Sequence, residues 1–487
     1  MPRTISSHPH SLTAHIVALC ACFLPLAVHA ADAPMTGRVP DLTGTIFGFA
    51  ALAIFLIAYG LVIAEEFIHL RKSKSVLVAA GAIWVLAAIA YSRANIPGAA
   101  ELLRHNLEEY GELLLFLLAA MTFVNTLEER NIFRALRDWL IACGFTLRVV
   151  FWVTGSLAFF LSPVLDNLTT ALVMGAVVLS VGAGHPRFIA LACINVVVAA
   201  NAGGAFSPFG DITTLMVWQK GVLKFTEFFA LFAPSVINWL VPAVAMSFAV
   251  SHTSPQRQGA RTEVKPGGYI VMLLFALTIV MTVSMHTFLH LPPFLGMMTG
   301  LGLLTIYGYF IRRREIRDFG DAEAPEVAAL QVPQGFKPAK KPFDIFISMK
   351  RVEWDTLMFF YGVVISVGGL GALGYLAMLA QSTYADLGPT TANILVGIAS
   401  AIVDNIPIMF AVLSMNPEMS HGQWLLVTLT AGVGGSLLSI GSAAGVALMG
   451  QARGVYTFFI HLRWTWAIAL GYALSIWVHM ALNRSLF

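Results

Sequence analysis

The sequence predicts an all-α polytopic membrane protein built from inverted-topology repeats, with two re-entrant hairpins and two discontinuous helices. Three observations predict it. The 487 residues are 58% hydrophobic and 11% charged, with a mean hydropathy of +0.78, whereas soluble domains carry roughly 25% charged residues. Apolar runs near the roughly 20 residues needed to cross a bilayer recur along the whole chain. Polar breaks interrupt these runs at matching places in the two halves. This composition excludes a soluble enzyme, a secreted disulfide scaffold and a nucleic-acid binder. The formal charge of +3 matters only through where the Lys and Arg lie. Cys20 and Cys22 lie in the leader, and Cys143 and Cys193 in or beside helices, so the cysteines give neither a disulfide framework nor metal spacing.

At the N-terminus, Arg3, an apolar run from Ile16 to Leu26 and the small-residue pattern Val28-His29-Ala30 read as a secretory signal peptide over 1–30. The first full span is an extra helix at 46–64. Further spans are expected near 75–91, 113–126, 188–219, 228–250, 269–290, 294–311, 354–380, 423–451 and 460–482. Residues 149–182 and 391–415 each carry a polar break, at Asp166-Asn167 and Asp404-Asn405, and read as re-entrant hairpins. Such hairpins are tolerated in a membrane only where the broken backbone is buried in protein or lines a cavity. With them in place the expected cytoplasmic segments hold twenty-two Lys or Arg and the outer ones six, which satisfies the positive-inside rule. Residues 312–353 open with Arg312-Arg313-Arg314, contain several prolines and lack periodicity, as expected of a flexible cytoplasmic linker.

The motif at Ser162 to Asn167 recurs at Ser400 to Asn405, and Gly203-Gly204 recurs as Gly434-Gly435. The halves 75–250 and 294–483 are therefore read as an inverted repeat, joined by a linking helix at 269–290. Such repeats place substrate near the midplane, where discontinuous helices expose backbone carbonyls and helix ends. The glycine pairs permit unwinding, and Pro208 removes a helical hydrogen bond. Glycines of this kind can also serve close helix packing alone, a reading that two copies in register, each beside an Asp-Asn break, make the weaker one.

Asp166, Asp211 and Asp404 stand in apolar surroundings, where an acid costs on the order of 3 kcal/mol at the centre of a span. Around them lie Asn167, Thr169, Thr170, Asn201, Ser207, Thr213 and Thr214 in one half, and Ser400, Asn405, Ser439 and Ser442 in the other. Hard oxygen donors with one or two carboxylates suit a small dehydrated alkali cation. Removing a carboxylate from water favours its protonated form, so one Asp can hold either H⁺ or the cation. That competition is the chemistry of an antiporter, and Asp166 and Asp404, at the symmetric breaks, are its expected carriers. Single hydroxyls such as Thr169 or Ser439 can equally bond their own helix. Glu112, Glu353 and Asp355 at span ends are either solvated charges or proton-pathway carboxylates. His69, His185 and His461 read as interfacial.

At LDNLTT (165–170), ANAGGAFSPFGDITT (200–214), AIVDNIP (401–407) and GGSLLSIGSAAGVALMG (434–450) the chain resembles the NhaD family of Na⁺/H⁺ antiporters. That family lies in a superfamily that also holds arsenite and dicarboxylate carriers. The resemblance implies exchange of Na⁺, often Li⁺, for H⁺ across the bacterial inner membrane, with no cofactor and, by analogy, a homodimer among membrane lipids. It also implies that Asp166, Asn167, Asn201, Asp211, Thr213, Thr214, Ser400, Asp404, Asn405, Ser439 and Ser442 match ion-pathway positions. A Na⁺-coupled anion carrier or arsenite carrier is the alternative within the superfamily, and the charge of the hairpin-tip aspartates opposes an anion. An intramembrane aspartyl protease would need Gly at 208, where Pro208 stands, and a Tyr before Asp166, where Leu165 stands.

Overall fold

The computed structural model describes residues 40–68, 70–253, 262–318 and 342–487, and contains helices but no strand among them. The expected signal peptide lies outside the described residues. Helices of eight residues or more are numbered α1 (Ile46–Ile63), α2 (Lys72–Arg93), α3 (Ala99–Glu129), α4 (Ile132–Ala142), α5 (Leu147–Leu165), α6 (Asn167–Val181), α7 (Pro186–Gly204), α8 (Ile212–Gln219) and α9 (Phe232–Ser247). After these come α10 (Gly268–Leu289), α11 (Pro293–Asp318), α12 (Trp354–Ala372), α13 (Pro389–Ala399), α14 (Asn405–Met415), α15 (His421–Gly434), α16 (Ala443–Gln451) and α17 (Thr465–Leu482). Ten helices among the described residues are long and apolar enough to cross a membrane.

Several boundaries differ from the sequence expectation for local reasons. The span expected at 113–126 falls in the second half of α3, a 31-residue helix whose polar first turns continue the same hydrogen-bonded ladder. The break expected at Gly203-Gly204 begins there: α7 ends at Gly204 and α8 starts at Ile212, with Ser207-Pro208 between them. The run 354–380 is interrupted after α12 by Gly374, whose φ of 102° is available to glycine at little cost. Arg312 to Arg314 do not open a linker: they continue α11, and a short helix, Ile345–Lys350, precedes α12. The middle of the expected linker lies outside the described residues.

The core is built around α7 and α15, which are buried almost throughout. Around them α5, α6, α9 and α17 pack in contact. Asn195 fastens three helices at once, its amide donating to Phe151 O (2.8 Å) and its carbonyl accepting from Trp239 Nε1 (2.9 Å). On the other side α2 lies parallel to α12, Trp84 Nε1 donating to Ile365 O (2.7 Å) and Tyr91 Oη to Ala372 O (2.8 Å). Helix α1 packs on α2. At the basic end Arg130, 1% exposed, donates to Glu315 Oε1 (2.7 Å) and stacks over Phe343 at 4.6 Å, joining α3 to α11. A buried charge is retained only with such partners.

Equivalent contacts recur in the two halves. Ser162 Oγ donates to Ala200 O (2.6 Å), and Ser400 Oγ donates to Ala431 O (3.1 Å). A Cβ on Gly203 would stand 2.2 Å from Phe159 O, and one on Gly434 would stand 2.0 Å from Gly397 O. Gly204 and Gly210 approach as Gly435 and Gly441 do. Across the halves α6 packs on α16, and α14 packs on α8. Gly434→Ala is expected to lower the stability of the purified protein by about 1–3 kcal/mol, because the clashing atom is backbone and cannot rotate away. A lowered thermal midpoint in detergent checks it, with Gly81→Ala as control, since no atom lies within 4 Å of a Cβ there.

Candidate functional site

Four apolar runs break and resume on a polar N-cap that accepts backbone N–H groups of the resumed helix. Asp166 accepts from Thr169 N (2.8 Å), Asp211 from Thr213 N (3.3 Å), Asp404 from Ile406 N (3.4 Å) and Ser442 from Gly445 N (3.2 Å). The sequence thus places its intramembrane acids where a helix dipole favours negative charge. Thr214 completes a capping box with Asp211, its hydroxyl also donating to Ser207 O at 2.8 Å. Ser207 Oγ donates to Pro163 O (2.9 Å), tying the α7–α8 break to the α5–α6 break.

The breaks meet at Asp211, which is 3% exposed. Its Oδ2 accepts from Asn167 Nδ2 (3.1 Å) and from Asn405 Nδ2 (2.9 Å), one amide from each half. Asn167 Nδ2 also reaches Asn201 Oδ1 (3.1 Å), and Asn201 Nδ2 donates to Ser436 Oγ (2.8 Å) and Ser442 Oγ (3.0 Å). One carboxylate, three carboxamides and two hydroxyls therefore form a single buried network. Thr170, Thr213 and Ser439 add buried hydroxyls with no hydrogen-bond partner among the described residues. Unsatisfied buried hydroxyls are costly unless something polar engages them, and a bare cation would.

The aspartates at the α5–α6 and α13–α14 breaks are not equivalent. Asp166 Oδ2 accepts from Thr169 Oγ1 (2.9 Å), and its φ of 64° with ψ of 161° is a conformation costing on the order of 1–3 kcal/mol for a non-glycine residue. It lines a cavity of about 420 Å³ with Thr169, Asn125, Glu128, Arg134 and Glu353. Asp404 instead pairs with Lys72, and its carboxylate takes no part in the network around Asp211. A cavity of about 30 Å³, lined by Asp166, Asp211, Phe116, Phe209 and Phe275, lies between the larger cavity and the network. A separate cavity of about 320 Å³ holds Glu112 with His105, Glu109 and Lys220. Asp355 accepts from Ser73 and Glu353 from Thr356, so these two carboxylates diverge. Ser400 is spent on carbonyls of its own half.

Three residues join the network that the sequence does not assign to it. Ser436 accepts from Asn201, and its carbonyl faces His461 Nε2 at 2.9 Å. That carbonyl fixes the proton on Nε2, so Nδ1 accepts from Tyr456 Oη (2.8 Å). His461 is fully buried, which corrects the expectation of an interfacial histidine. The signal for Ser436 was its place in the Gly434-Gly435 element, whereas nothing in the sequence marked Tyr456.

The chain matches the model of a protein family described as "Citrate transporter" over residues 12–432. It is 54% identical over 476 residues to the Na⁺/H⁺ antiporter NhaD of Alkalimonas amylolytica, the match covering 96% of both chains. It is 53% identical over 472 residues to NhaD of Vibrio cholerae serotype O1, covering 96% of this chain and 97% of that one. Sodium/proton antiporter 1 of Arabidopsis thaliana is 32% identical over 451 residues, with 89% of this chain and 72% of that one covered.

Proposed function

The chain belongs to the NhaD family of Na⁺/H⁺ antiporters, within the wider citrate-transporter family, and from that premise we propose that it exchanges Na⁺ for H⁺ around Asp211. The observation that carries the reading is the clamp on that carboxylate by Asn167 and Asn405, one from each half. The protein is a multi-pass secondary transporter, not an enzyme, and needs no cofactor beyond its transported ions. Asn201, Ser436 and Ser442 hold the network in register, and Thr170, Thr213 and Ser439 supply the oxygen donors left free for a dehydrated cation. Li⁺, smaller and equally hard, is carried too. Asp166 hands ions between the 420 Å³ vestibule and Asp211, with Glu353 beside it as a proton-entry carboxylate and Glu112 serving the opposite cavity.

Matched contacts around Gly203 and Gly434, and the crossed packing of α6 on α16 and α14 on α8, support an inverted repeat with re-entrant hairpins working by alternating access. Arg134, Arg137 and Arg351 line the vestibule, so by the positive-inside rule it opens to the cytoplasm of a bacterial inner membrane, with 312–353 on that side. Asp386, exposed between α12 and α13, then faces outward. In a Cys143→Ser background, Asp386→Cys is expected to label from outside intact cells; labelling from the cytoplasm alone would overturn the topology.

The family description favours an anion as a second reading. The intramembrane carboxylates Asp166 and Asp211, neither ion-paired with Lys or Arg among the described residues, oppose it, since like charge in low dielectric is repelled strongly. The test is dequenching of a ΔpH dye in everted vesicles on adding Na⁺, Li⁺, K⁺, citrate or arsenite. Na⁺ and Li⁺ are expected to dequench. A response to citrate or arsenite with none to Na⁺ would replace the antiporter reading.

A further inference from the structure

The carboxylate of the second hairpin tip has a tethered cation. Asp404 Oδ2 lies 3.5 Å from Lys72 Nζ, with side chains 13% and 19% exposed. The same ammonium sits 4.4 Å from the centre of the Phe359 ring on α12. Lys72 opens α2, a helix outside all four broken runs.

The sequence explains why a partner from elsewhere is needed. Aligned on the repeat, Asp404-Asn405-Ile406-Pro407 stands against Asp166-Asn167-Leu168-Thr169. Thr169 supplies Asp166 with a backbone N–H on one oxygen and a hydroxyl on the other. Pro407, at the corresponding place, has neither. Asp404 keeps only the weak contact from Ile406 N at 3.4 Å, on Oδ1, and its Oδ2 would be left bare in a low-dielectric setting without Lys72. Among the described residues no Lys or Arg makes an ion pair with Asp166 or Asp211.

We propose that Lys72 is the fixed counter-ion of Asp404, holding at the second hairpin tip the place a transported cation would otherwise take. The inference rests on the antiporter reading above and divides the aspartates by task. Asp211 and Asp166, which have no basic partner among the described residues, exchange Na⁺ and H⁺, whereas Asp404 remains neutralised by Lys72. Lys72 is a positioning residue: it fixes the tip that presents Asn405 to Asp211.

The test is a double-mutant cycle in the full-length chain, read as Na⁺-driven proton movement in everted vesicles and normalised to protein in the membrane. Lys72→Gln and Asp404→Asn are each expected to lower the maximal rate at least about tenfold, because each leaves the other charge unpaired. Lys72→Arg keeps the charge and is expected to stay within about threefold of the parent, as is the Lys72→Gln, Asp404→Asn double variant, with its half-saturating Na⁺ unchanged. A double variant no more active than Asp404→Asn would overturn the proposal, since Asp404 would then be needed for itself. So would a Lys72→Gln variant indistinguishable from the parent. Where a single variant fails to accumulate, the charge swap Lys72→Asp with Asp404→Lys carries the same test, and its inactivity as accumulated protein overturns the pair. Asp211→Asn in parallel separates the two readings. If that variant still exchanges Na⁺, the cluster reading fails, whereas the cycle reports on the pair alone.

Discussion

Asp211→Asn is expected to abolish Na⁺-driven proton movement while the protein still inserts. The substitution keeps size and one acceptor oxygen, so Asn167 and Asn405 retain a partner and the helices around the breaks keep their packing. What is lost is the one carboxylate of the network, and with it, on the function proposed above, both the charge that binds a bare cation and the group that takes its proton. Removing the charged member of a buried network costs on the order of 3–5 kcal/mol, or more than about a hundredfold in cation affinity. Dye dequenching with immunoblotting of the membranes measures both halves of this expectation. A normal rate at saturating Na⁺ would show that Asp211 is not the carrier.

The apparent affinity for Na⁺ is expected to fall as the medium is acidified. If Na⁺ and H⁺ occupy the same carboxylate, then below its pKa each unit of pH lowers the cation-ready fraction about tenfold, about 1.4 kcal/mol per displaced proton. Above that pKa the half-saturating Na⁺ concentration levels off. Two protons displaced per cation would double the slope, which ties the measurement to stoichiometry. Solid-supported-membrane electrophysiology across a pH series reads it directly. A half-saturating concentration flat from acid to alkaline pH would remove the shared site, and a proton bound elsewhere would change maximal rate rather than affinity.

The parts of this site legible in the sequence are those whose cost in a membrane is large. Asp166, Asp211 and Asp404 stand out because an acid in hydrocarbon needs a reason, and Gly203 and Gly434 because they recur beside Asp-Asn breaks. Even the inequality of the halves was readable: Gly203 recurs at Gly434, and the same shift sets Asp211 against Ser442, so only one half brings a carboxylate to the centre. Reading Asp166 and Asp404 as equivalent overlooked the different surroundings that Pro407 opposite Thr169 gives them. Lys72 is hidden because beside Arg71 it looks like any charge at a membrane edge, and only the packing of α2 along α12 brings it to the break before α14. His461 and Tyr456 act through a carbonyl, and hydrogen bonds to backbone leave no pattern in side-chain chemistry.

The 30 Å³ gap between Asp166 and Asp211 bears on which ions can pass. A cavity needs on the order of 10–15 Å³ to hold one water, so this gap holds about two, and an ion entering from the vestibule must leave most of its hydration shell behind. Phe116, Phe209 and Phe275 offer nothing polar in exchange, which leaves the Asp166 and Asp211 side chains of the same lining to replace the lost waters. The step is tolerable only for an ion whose lost waters are replaced at once by Asp211 and the oxygens beyond it. On the antiporter reading proposed above, selectivity is set where water is stripped, at this aromatic-lined gap, and Phe116→Ala, which enlarges it, is expected to let ions arrive less dehydrated and to narrow the difference between Na⁺ and K⁺ in dye dequenching.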